Sequence, residues 1–143
     1  MPKTAKNLIL NDWNDKPVDF FKFQEKNHLI LIFYRGYWCN ICRAQLDEFN
    51  KNLDKTKAKI IAISGDEPLY ASLLSTHLGA KFPILPDPEL KSFKIYELDI
   101  PDDKKDILPA IFIVSPKHEI IYKNISENPE KRPDLSKILA QIP

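Results

Sequence analysis

Three stretches of the chain are continuously apolar and rich in β-branched and aromatic residues. They cover residues 28–34, 58–64 and 109–114. A strand that helices cover on both faces shows no alternation of polar and apolar positions, so each stretch predicts a buried central strand. A turn at 115–118 then predicts an antiparallel strand over residues 119–123.

Between these strands, apolar residues recur every three or four positions, as they do on the buried face of a helix. The first such stretch follows the first strand directly. Two further helices have cap and proline signals at residues 65–68 and 87–90, and a fourth helix closes the chain. The apolar positions of the four helices are Cys42, Leu46, Phe49 and Leu53; Leu69 and Leu73; Leu90 and Phe93; and Leu135, Ile138 and Leu139.

The remaining segments complete an α/β pattern. Residues 10–23 contain the turn signal Asn14-Asp15 and are interpreted as a weak hairpin or irregular strand, and residues 81–85 as a short extended piece. Alternating strands and helices, followed by a hairpin and a helix, predict a three-layer α/β/α fold with a central mixed sheet. Glycine is scarce, with 3 residues, and no linker interrupts the pattern, so residues 1–143 are expected to form a single domain.

Composition narrows the class of partner. The 21 basic and 20 acidic residues leave a formal charge of +1, so no field of one sign would recruit nucleic acid or a membrane surface. The apolar stretch at residues 8–10 is too short for a signal peptide or a membrane span. We therefore expect a cytoplasmic protein, in which a lone cysteine pair is more often catalytic or metal-binding than structural.

The chain has two cysteines, Cys39 and Cys42, at the junction of the first strand and the first helix. A thiol at a helix start lies beside unpaired N–H groups that favour the thiolate, and the second thiol follows one turn later, within disulfide reach. This arrangement suits thiol–disulfide exchange. Arg35 and Arg43 flank the pair, and either would lower a thiol pKa if its guanidinium pointed at the sulfur. An inert buried pair is the other interpretation.

A Cys-x-x-Cys pair also begins many zinc sites, but zinc needs three or four ligands. His28, His77 and His118 are scattered along the chain without mutual spacing. The sequence has no glycine-rich phosphate loop and no Gly-x-Ser-x-Gly elbow. We therefore expect neither a metal nor a cofactor.

The cysteine segment, Trp38-Cys39-Asn40-Ile41-Cys42, lies within a longer stretch that resembles a known signature. Residues 33–46 are similar to the peroxiredoxin-like branch of the family of alkyl hydroperoxide reductase C and thiol-specific antioxidant, the AhpC/TSA family. The resemblance implies a thioredoxin fold with peroxiredoxin-type extensions. Further similarity to that branch is found at residues 15–18, 108–114 and 130–134.

Pro109 stands at the head of a predicted buried strand, where a residue without an N–H is tolerated. The resemblance adds a second interpretation, a proline opposite the cysteines as in thioredoxin. It implies a cis bond between Leu108 and Pro109 that presents the backbone of Leu108 to an incoming peptide or thiol.

Departures from the ordinary peroxiredoxin pattern bear on the chemistry. In that pattern a threonine precedes the peroxidatic cysteine by three residues, and an arginine further on completes the peroxide site. By resemblance Cys42 takes the peroxidatic position, Cys39 replaces the threonine and Pro109 replaces the arginine. The result is similar to thioredoxin, which implies Cys39 as the exposed nucleophile and Cys42 as the buried resolving thiol. Asn40 stands where this branch usually has proline, and Phe33 where thioredoxin has a buried acid.

The leading hypothesis is a thiol–disulfide oxidoreductase of the peroxiredoxin-like class in cellular redox or antioxidant defence. Its substrate is a protein disulfide or a peroxide, and a thiol reductant of the thioredoxin or glutathione type restores it. One alternative is a thiol peroxidase in which Cys42 is peroxidatic and Cys39 resolves; another is a redox-sensing or binding module without turnover. The sequence marks no oligomer interface. The site residues of the leading hypothesis are catalytic Cys39 and Cys42 and supporting Arg35, Trp38, Leu108 and Pro109.

Overall fold

A six-stranded sheet contains all three apolar stretches as neighbouring strands. The computed structural model describes residues 3–143. The sheet order is β1-β8-β7-β4-β5-β6, and β2 and β3 form a separate hairpin. The strands are β1 (Lys3–Thr4), β2 (Ile9–Asn11), β3 (Pro17–Asp19), β4 (Leu29–Phe33), β5 (Lys59–Ser64), β6 (Ile84–Pro86), β7 (Ala110–Val114) and β8 (Glu119–Ile125).

Helices cover both faces of the sheet, which confirms the predicted α/β fold with a central mixed sheet. The helices are α1 (Phe20–Gln24), α2 (Asn40–Lys51), α3 (Pro68–Leu78), α4 (Lys91–Ile95) and α5 (Leu135–Leu139). Buried residues of α2, α3 and α5 pack on one face, and those of α1 and α4 pack on the other. Among the helices of residues 3–143, none is long and apolar enough to cross a membrane.

The register of the central strands decides where the ends of the elements meet. Strand β4 pairs in parallel with β5 and antiparallel with β7, so Phe33 lies opposite both Ile63 and Ala110. Successive side chains of a strand point to opposite faces. Leu29, Leu31 and Phe33 therefore enter one core, while Ile30, Ile32 and Tyr34 enter the core under α2. The carboxyl ends of β4 and β5 and the start of β7 share one edge.

Several element boundaries differ from the sequence expectations for local reasons. Helix α2 ends at Lys51, and Leu53 lies in a separate 3₁₀ turn. The helix expected from residue 87 begins at Lys91, because Leu90 has a left-handed φ of 57° and the Asp87 carboxylate accepts the first helical N–H groups. The segment expected as a weak hairpin or irregular strand over residues 10–23 overlaps the hairpin β2–β3 and also α1, which the sequence pattern did not indicate.

Candidate active site

The two cysteines lie at the shared edge, where the chain leaves β4 and enters α2. Cys39 is the N-cap of α2, with extended backbone angles (φ −86°, ψ 106°). Its sulfur accepts a hydrogen bond from the backbone N–H of Cys42 at 3.3 Å. A side-chain acceptor at this position satisfies one of the free N–H groups of the first helical turn. The predicted helix start at the first cysteine is therefore confirmed.

Cys42 is completely buried, and two donors contact its sulfur. The backbone N–H of Arg35 lies 3.4 Å from Sγ, and the Arg132 guanidinium lies 3.0 Å from it. Both thiols are free, and the pair expected within disulfide reach is close but not at disulfide distance in this structure. Burial raises the pKa of the Cys42 thiol to about 11, with a further rise from the neighbouring Cys39, while the Arg35 N–H and the Arg132 charge lower it. At this pKa Cys42 is a protonated thiol near neutral pH.

Arg132 is the residue at this site whose contact the sequence did not reveal. Its Nη2 reaches both sulfurs, at 3.0 Å from Cys42 and 3.8 Å from Cys39, and its Nη1 donates to Pro129 O at 2.7 Å and Lys131 O at 3.0 Å. In the described part of the chain, Arg132 Nε has no hydrogen-bond partner. The only sequence signal was its place in residues 130–134, which resemble a family motif.

The two arginines nearest the cysteines in sequence point elsewhere. The Arg35 side chain donates to Ile107 O at 3.1 Å and to Lys105 O, and its guanidinium carbon lies 4.7 Å from the ring centroid of Trp38. Arg43 donates to Asn40 Oδ1. Neither guanidinium points at a sulfur, so the condition under which either would lower a thiol pKa is not met in this structure. Arg35 reaches Cys42 through its backbone N–H alone.

Pro109 is buried at the start of β7, and every peptide bond within residues 3–143 is trans, so the expected cis bond after Leu108 is absent there. The Pro109 carbonyl instead accepts the N–H of Ser126 at 3.0 Å. The Ser126 hydroxyl in turn donates to Lys131 O at 2.7 Å, one residue before Arg132. Pro109 thus anchors the loop that carries the arginine. Leu108 is half-buried beside Pro109.

Trp38 is 46% exposed and forms one wall of an open cleft of about 670 Å³ beside the cysteines. Gly36 allows the Trp38 ring to lie close to the backbone, because a Cβ on Gly36 would meet Trp38 Nε1 at 2.5 Å. Its φ of +156° also favours glycine at this position. The other lining residues are Arg35, Gly65, Asp66, Asp102, Asp103, Lys104, Lys105 and Ile107.

Asp66 lies in this cleft and contacts the loop that leads to the cysteines. Its Oδ2 accepts the Ser64 hydroxyl at 2.9 Å and the backbone N–H of Tyr37 at 2.8 Å. Burial raises the pKa of the Asp66 carboxyl, while the Ser64 and Tyr37 hydrogen bonds and the Lys104 charge lower it. Across residues 3–143, no group of three or more His, Cys, Asp or Glu side chains is placed to hold a metal ion.

Comparison with known proteins places this geometry in a family. A sequence model of the AhpC/TSA family matches residues 1–123. No curated protein matches the chain. Among solved structures, the fold is similar to that of peroxidoxin BcpB from Mycobacterium tuberculosis, with a TM-score of 0.86 and 16% identity over 98% of this chain and 94% of that chain.

Two further solved structures share the fold. A peroxiredoxin-like protein from Aquifex aeolicus has a TM-score of 0.85 and 11% identity over 98% of this chain and 84% of that chain. The yeast mitochondrial 1-Cys peroxiredoxin, studied for its thiol resolution by glutathione and thioredoxin systems, has a TM-score of 0.81 and 17% identity over 97% of this chain and 72% of that chain.

Proposed function

Since the chain belongs to the AhpC/TSA family and is an oxidoreductase, we propose that it is a thiol–disulfide oxidoreductase whose redox centre is the Cys39–Cys42 pair. The proposal extends to a single domain over residues 1–143 that works in the cytoplasm. Its substrate is a protein disulfide, and a thiol of the thioredoxin or glutathione type reduces it again. Glutathione and thioredoxin systems are the ones described for thiol resolution in the yeast mitochondrial 1-Cys peroxiredoxin, whose fold is similar.

The reaction takes place in two exchange steps. The Cys39 thiolate attacks one sulfur of the substrate disulfide, forms a mixed disulfide and releases the first substrate thiolate. The Cys42 sulfur then attacks the Cys39 sulfur, and the second substrate thiolate leaves. The substrate has gained two electrons, and the protein holds the Cys39–Cys42 disulfide. Two reducing equivalents from an external thiol restore the pair.

The single observation that supports this assignment is that the two thiols beside Arg132 differ in burial. Cys42 is 0% exposed and holds its proton with a pKa of about 11. Cys39 is buried too, and not exposed as the resemblance implied, but it retains 5% exposure next to the exposed ring of Trp38. A fully buried thiol with a raised pKa suits a resolving role inside the protein more than a first attack on an external substrate. The Arg132 guanidinium contacts both sulfurs and so stabilises whichever one carries the negative charge.

A thiol peroxidase is the second candidate, and the two donors on the Cys42 sulfur favour it. In that reaction the Cys42 thiolate attacks a peroxide, the O–O bond breaks, and Cys42 becomes a sulfenic acid as an alcohol or water leaves. Cys39 then attacks the sulfenic sulfur and forms the disulfide with release of water. The Arg35 N–H and the Arg132 guanidinium would stabilise the thiolate that begins this sequence.

Trapping experiments distinguish the roles of the two thiols. We expect Cys42→Ser to accumulate a mixed disulfide with a disulfide substrate through Cys39, because the resolving thiol is gone. Cys39→Ser, the matched variant, is expected to accumulate none. Trapping through Cys42 alone would contradict the assigned order of attack.

Turnover assays distinguish the function classes. We expect the protein to catalyse the reduction of an insulin disulfide in the presence of a thiol reductant. We also expect it to consume peroxide in stopped flow no faster than a free thiol does. Fast peroxide consumption would instead establish the peroxidase. A disulfide that forms and is reduced again without accelerating either reaction would identify a redox-sensing module and contradict both enzymes.

A further inference from the structure

The Arg35 side chain leaves the thiol site and enters the cleft beside Trp38. The backbone N–H of Arg35 lies 3.4 Å from the Cys42 sulfur, but its guanidinium group lies in the open cleft of about 670 Å³. The residue is half-buried there. The backbone of Arg35 and its charged group therefore act in two different places.

The guanidinium holds a segment that is distant in the chain. Its Nε donates to Ile107 O at 3.1 Å, and its Nη2 donates to Lys105 O. These carbonyls lie 72 and 70 positions from Arg35, in the segment that leads into β7. A charged, planar donor that makes two hydrogen bonds fixes both the distance and the direction of its partner. Arg35 therefore ties residues 105–107 to the loop before the cysteines.

The same guanidinium contacts the Trp38 ring. Its carbon lies 4.7 Å from the ring centroid, at a distance where a cation is attracted to an aromatic face. Trp38 is 46% exposed, and its ring also lies close to the backbone of Gly36. An exposed side chain changes rotamer within nanoseconds unless a contact holds it. The Arg35 contact therefore restricts the motion of this ring.

These contacts connect two parts of the cleft. The Trp38 ring forms one wall, and residues 102–105 with Ile107 form another. Trp38 directly precedes Cys39 in the chain, so the cleft lies beside the residue that attacks the substrate. Ligand sites in proteins have volumes of roughly 300–1,000 Å³, so this cleft is large enough for a short polypeptide segment.

The charges in the cleft favour a polypeptide over a small ion. Three acidic and three basic residues line it, so neither sign is in excess. Of the basic groups, Arg35 already donates to carbonyls, and Lys104 Nζ donates to Pro88 O at 2.6 Å. An exposed aromatic ring within a surface of balanced charge is typical of protein–protein contacts. The acidic residues are Asp66, Asp102 and Asp103, and the basic ones are Arg35, Lys104 and Lys105.

We propose that Arg35 is a positioning residue for the first exchange step with a protein disulfide. Its guanidinium keeps the Trp38 ring and residues 105–107 in one arrangement, and the polypeptide that carries the substrate disulfide binds between them while Cys39 attacks. Arg35 gives and takes no electrons, and the bonds that form and break are those of the two exchange steps. The inference rests on the proposed function and names a determinant of its substrate class.

A comparison of a protein disulfide with a small one tests this role. With the thiol reductant saturating, Arg35→Met should raise the KM for insulin about tenfold and leave kcat unchanged, as for loss of binding that ground state and transition state share. Reduction of hydroxyethyl disulfide should proceed at the wild-type rate, because this substrate is too small to contact both walls. A general disturbance of the thiols would slow both reactions alike.

Arg35→Lys and Arg43→Met are the matched variants. Lysine keeps a charge near the ring but loses the planar pair of donors, so Arg35→Lys should retain part of the wild-type affinity for insulin. Arg43 is also an arginine over an aromatic ring, with its guanidinium carbon 5.4 Å from the Tyr37 centroid, but it lies outside this cleft. Arg43→Met should therefore leave the KM and kcat for insulin unchanged.

The emission of Trp38 reports the contact directly. The chain has two tryptophans, so the measurement is made in a Trp13→Phe background. Arg35→Met should lower the anisotropy of the Trp38 emission and increase its quenching by acrylamide, because the freed ring moves. The emission of Arg43→Met should match that of the parent protein.

A double-mutant cycle tests whether Arg35 acts through Trp38. Trp38→Leu should raise the KM for insulin by itself, because it removes one wall of the cleft. The double variant Arg35→Met/Trp38→Leu should raise the KM by less than the product of the two single effects, since both changes remove one shared contact. Where Arg35→Met fails to fold, Arg35→Lys takes its place in the cycle and in the comparison of substrates.

The outcomes separate the inference from the proposed function. An unchanged insulin KM in Arg35→Met, or equal losses with insulin and hydroxyethyl disulfide, would overturn the positioning role and leave the proposed function standing. Independent effects in the double variant would also overturn it, because Arg35 would then not act through Trp38. A wild type that does not accelerate insulin reduction would overturn the proposed function itself, and the inference with it.

Discussion

The Arg132 guanidinium lies 3.0 Å from the Cys42 sulfur, although the two residues are 90 positions apart in the chain. A cation at this distance offsets part of the cost of a thiolate in a buried site. The contact depends on the loop after β8, which the Ser126 N–H ties to Pro109 O at the start of β7. A segment near the end of the chain therefore supplies the cation beside the cysteines of the first turn of α2.

Replacement of Arg132 tests the electrostatic role. Arg132→Gln should raise the pKa of Cys42 and slow its alkylation by iodoacetamide by about 10- to 100-fold at a fixed pH between 8 and 9. This range corresponds to loss of a charge-assisted hydrogen bond of about 1.5–3 kcal/mol. The rate is followed by mass spectrometry in a Cys39→Ser background, so that Cys42 is the only thiol.

Arg43→Gln is the control for that experiment, since Arg43 is also close to the cysteines but its guanidinium contacts Asn40 Oδ1 rather than a sulfur. It should leave the alkylation profile of Cys42 unchanged. Arg132→Lys should retain part of the effect, because it keeps the charge but loses the planar fork of donors. Equal profiles for Arg132→Gln and wild type would show that the guanidinium does not act on the thiol.

Ser126 should act through Arg132. Its hydroxyl donates to Lys131 O at 2.7 Å, and Ser126→Ala removes this bond while keeping the backbone link to Pro109. We expect a loss of about 1 kcal/mol in the free energy of unfolding and a smaller rise of the Cys42 pKa than in Arg132→Gln. Urea unfolding and the alkylation profile measure the two effects. Ser136→Ala, at an exposed serine of α5, should change neither.

The stability of the reduced protein should fall as the pH rises above about 8.5. The folded pKa of Cys42, about 11, lies above the ordinary thiol value, so the folded state binds this proton more tightly than the unfolded state. The contribution is complete below the unfolded pKa and is lost as pH rises through the folded pKa, at about 1.4 kcal/mol per pH unit. Urea unfolding under reducing conditions measures it.

Cys42→Ala isolates this contribution, because it removes the thiol without adding a polar group to the core. The pKa of Tyr96, raised to about 12 by burial alone, adds the same alkaline loss to both proteins. The difference between the two proteins should therefore shrink from pH 8 to pH 11. A constant difference over this range would contradict a raised thiol pKa.

Gly36 should be intolerant of a side chain. In Gly36→Ala the new Cβ meets Trp38 Nε1 at 2.5 Å, and the φ of +156° is strained for alanine. We expect a loss of about 1–3 kcal/mol in the free energy of unfolding and a changed emission of Trp38, recorded in a Trp13→Phe background. Gly79→Ala, with φ +57° and no atom within 4 Å, should cost about 1 kcal/mol from its backbone alone and leave the emission as it was.

The elements of the fold that were predictable from sequence are those whose signal is local. The apolar stretches became β4, β5 and β7, because a strand covered on both faces needs apolar residues at every position. Helix α2 begins after Cys39 as expected, since capping depends on neighbouring residues. Helix α4 begins later than the sequence pattern indicates, because the left-handed turn at Leu90 leaves no periodic signal.

The chemical environment of the thiols was decided only by the tertiary structure. Sequence proximity favoured Arg35 and Arg43 as partners of the thiols, yet the first donates to carbonyls near the cleft and the second to Asn40. Arg132 contacts the thiols instead, because strand pairing and the Ser126 hydrogen bond bring its loop to the edge of the sheet where the cysteines lie. A side chain's direction depends on distant packing that no local pattern encodes.

The sequence by itself determined a cysteine pair at the start of a helix and an α/β scaffold to hold it, because spacing, capping and apolar periodicity are local properties of the chain. The tertiary structure alone decided that Cys42 is fully buried and that a guanidinium from the loop after β8 contacts it. These relations arise where β4, β5, β7 and the last loop converge. Only folding brings residues so far apart in the chain within hydrogen-bond distance.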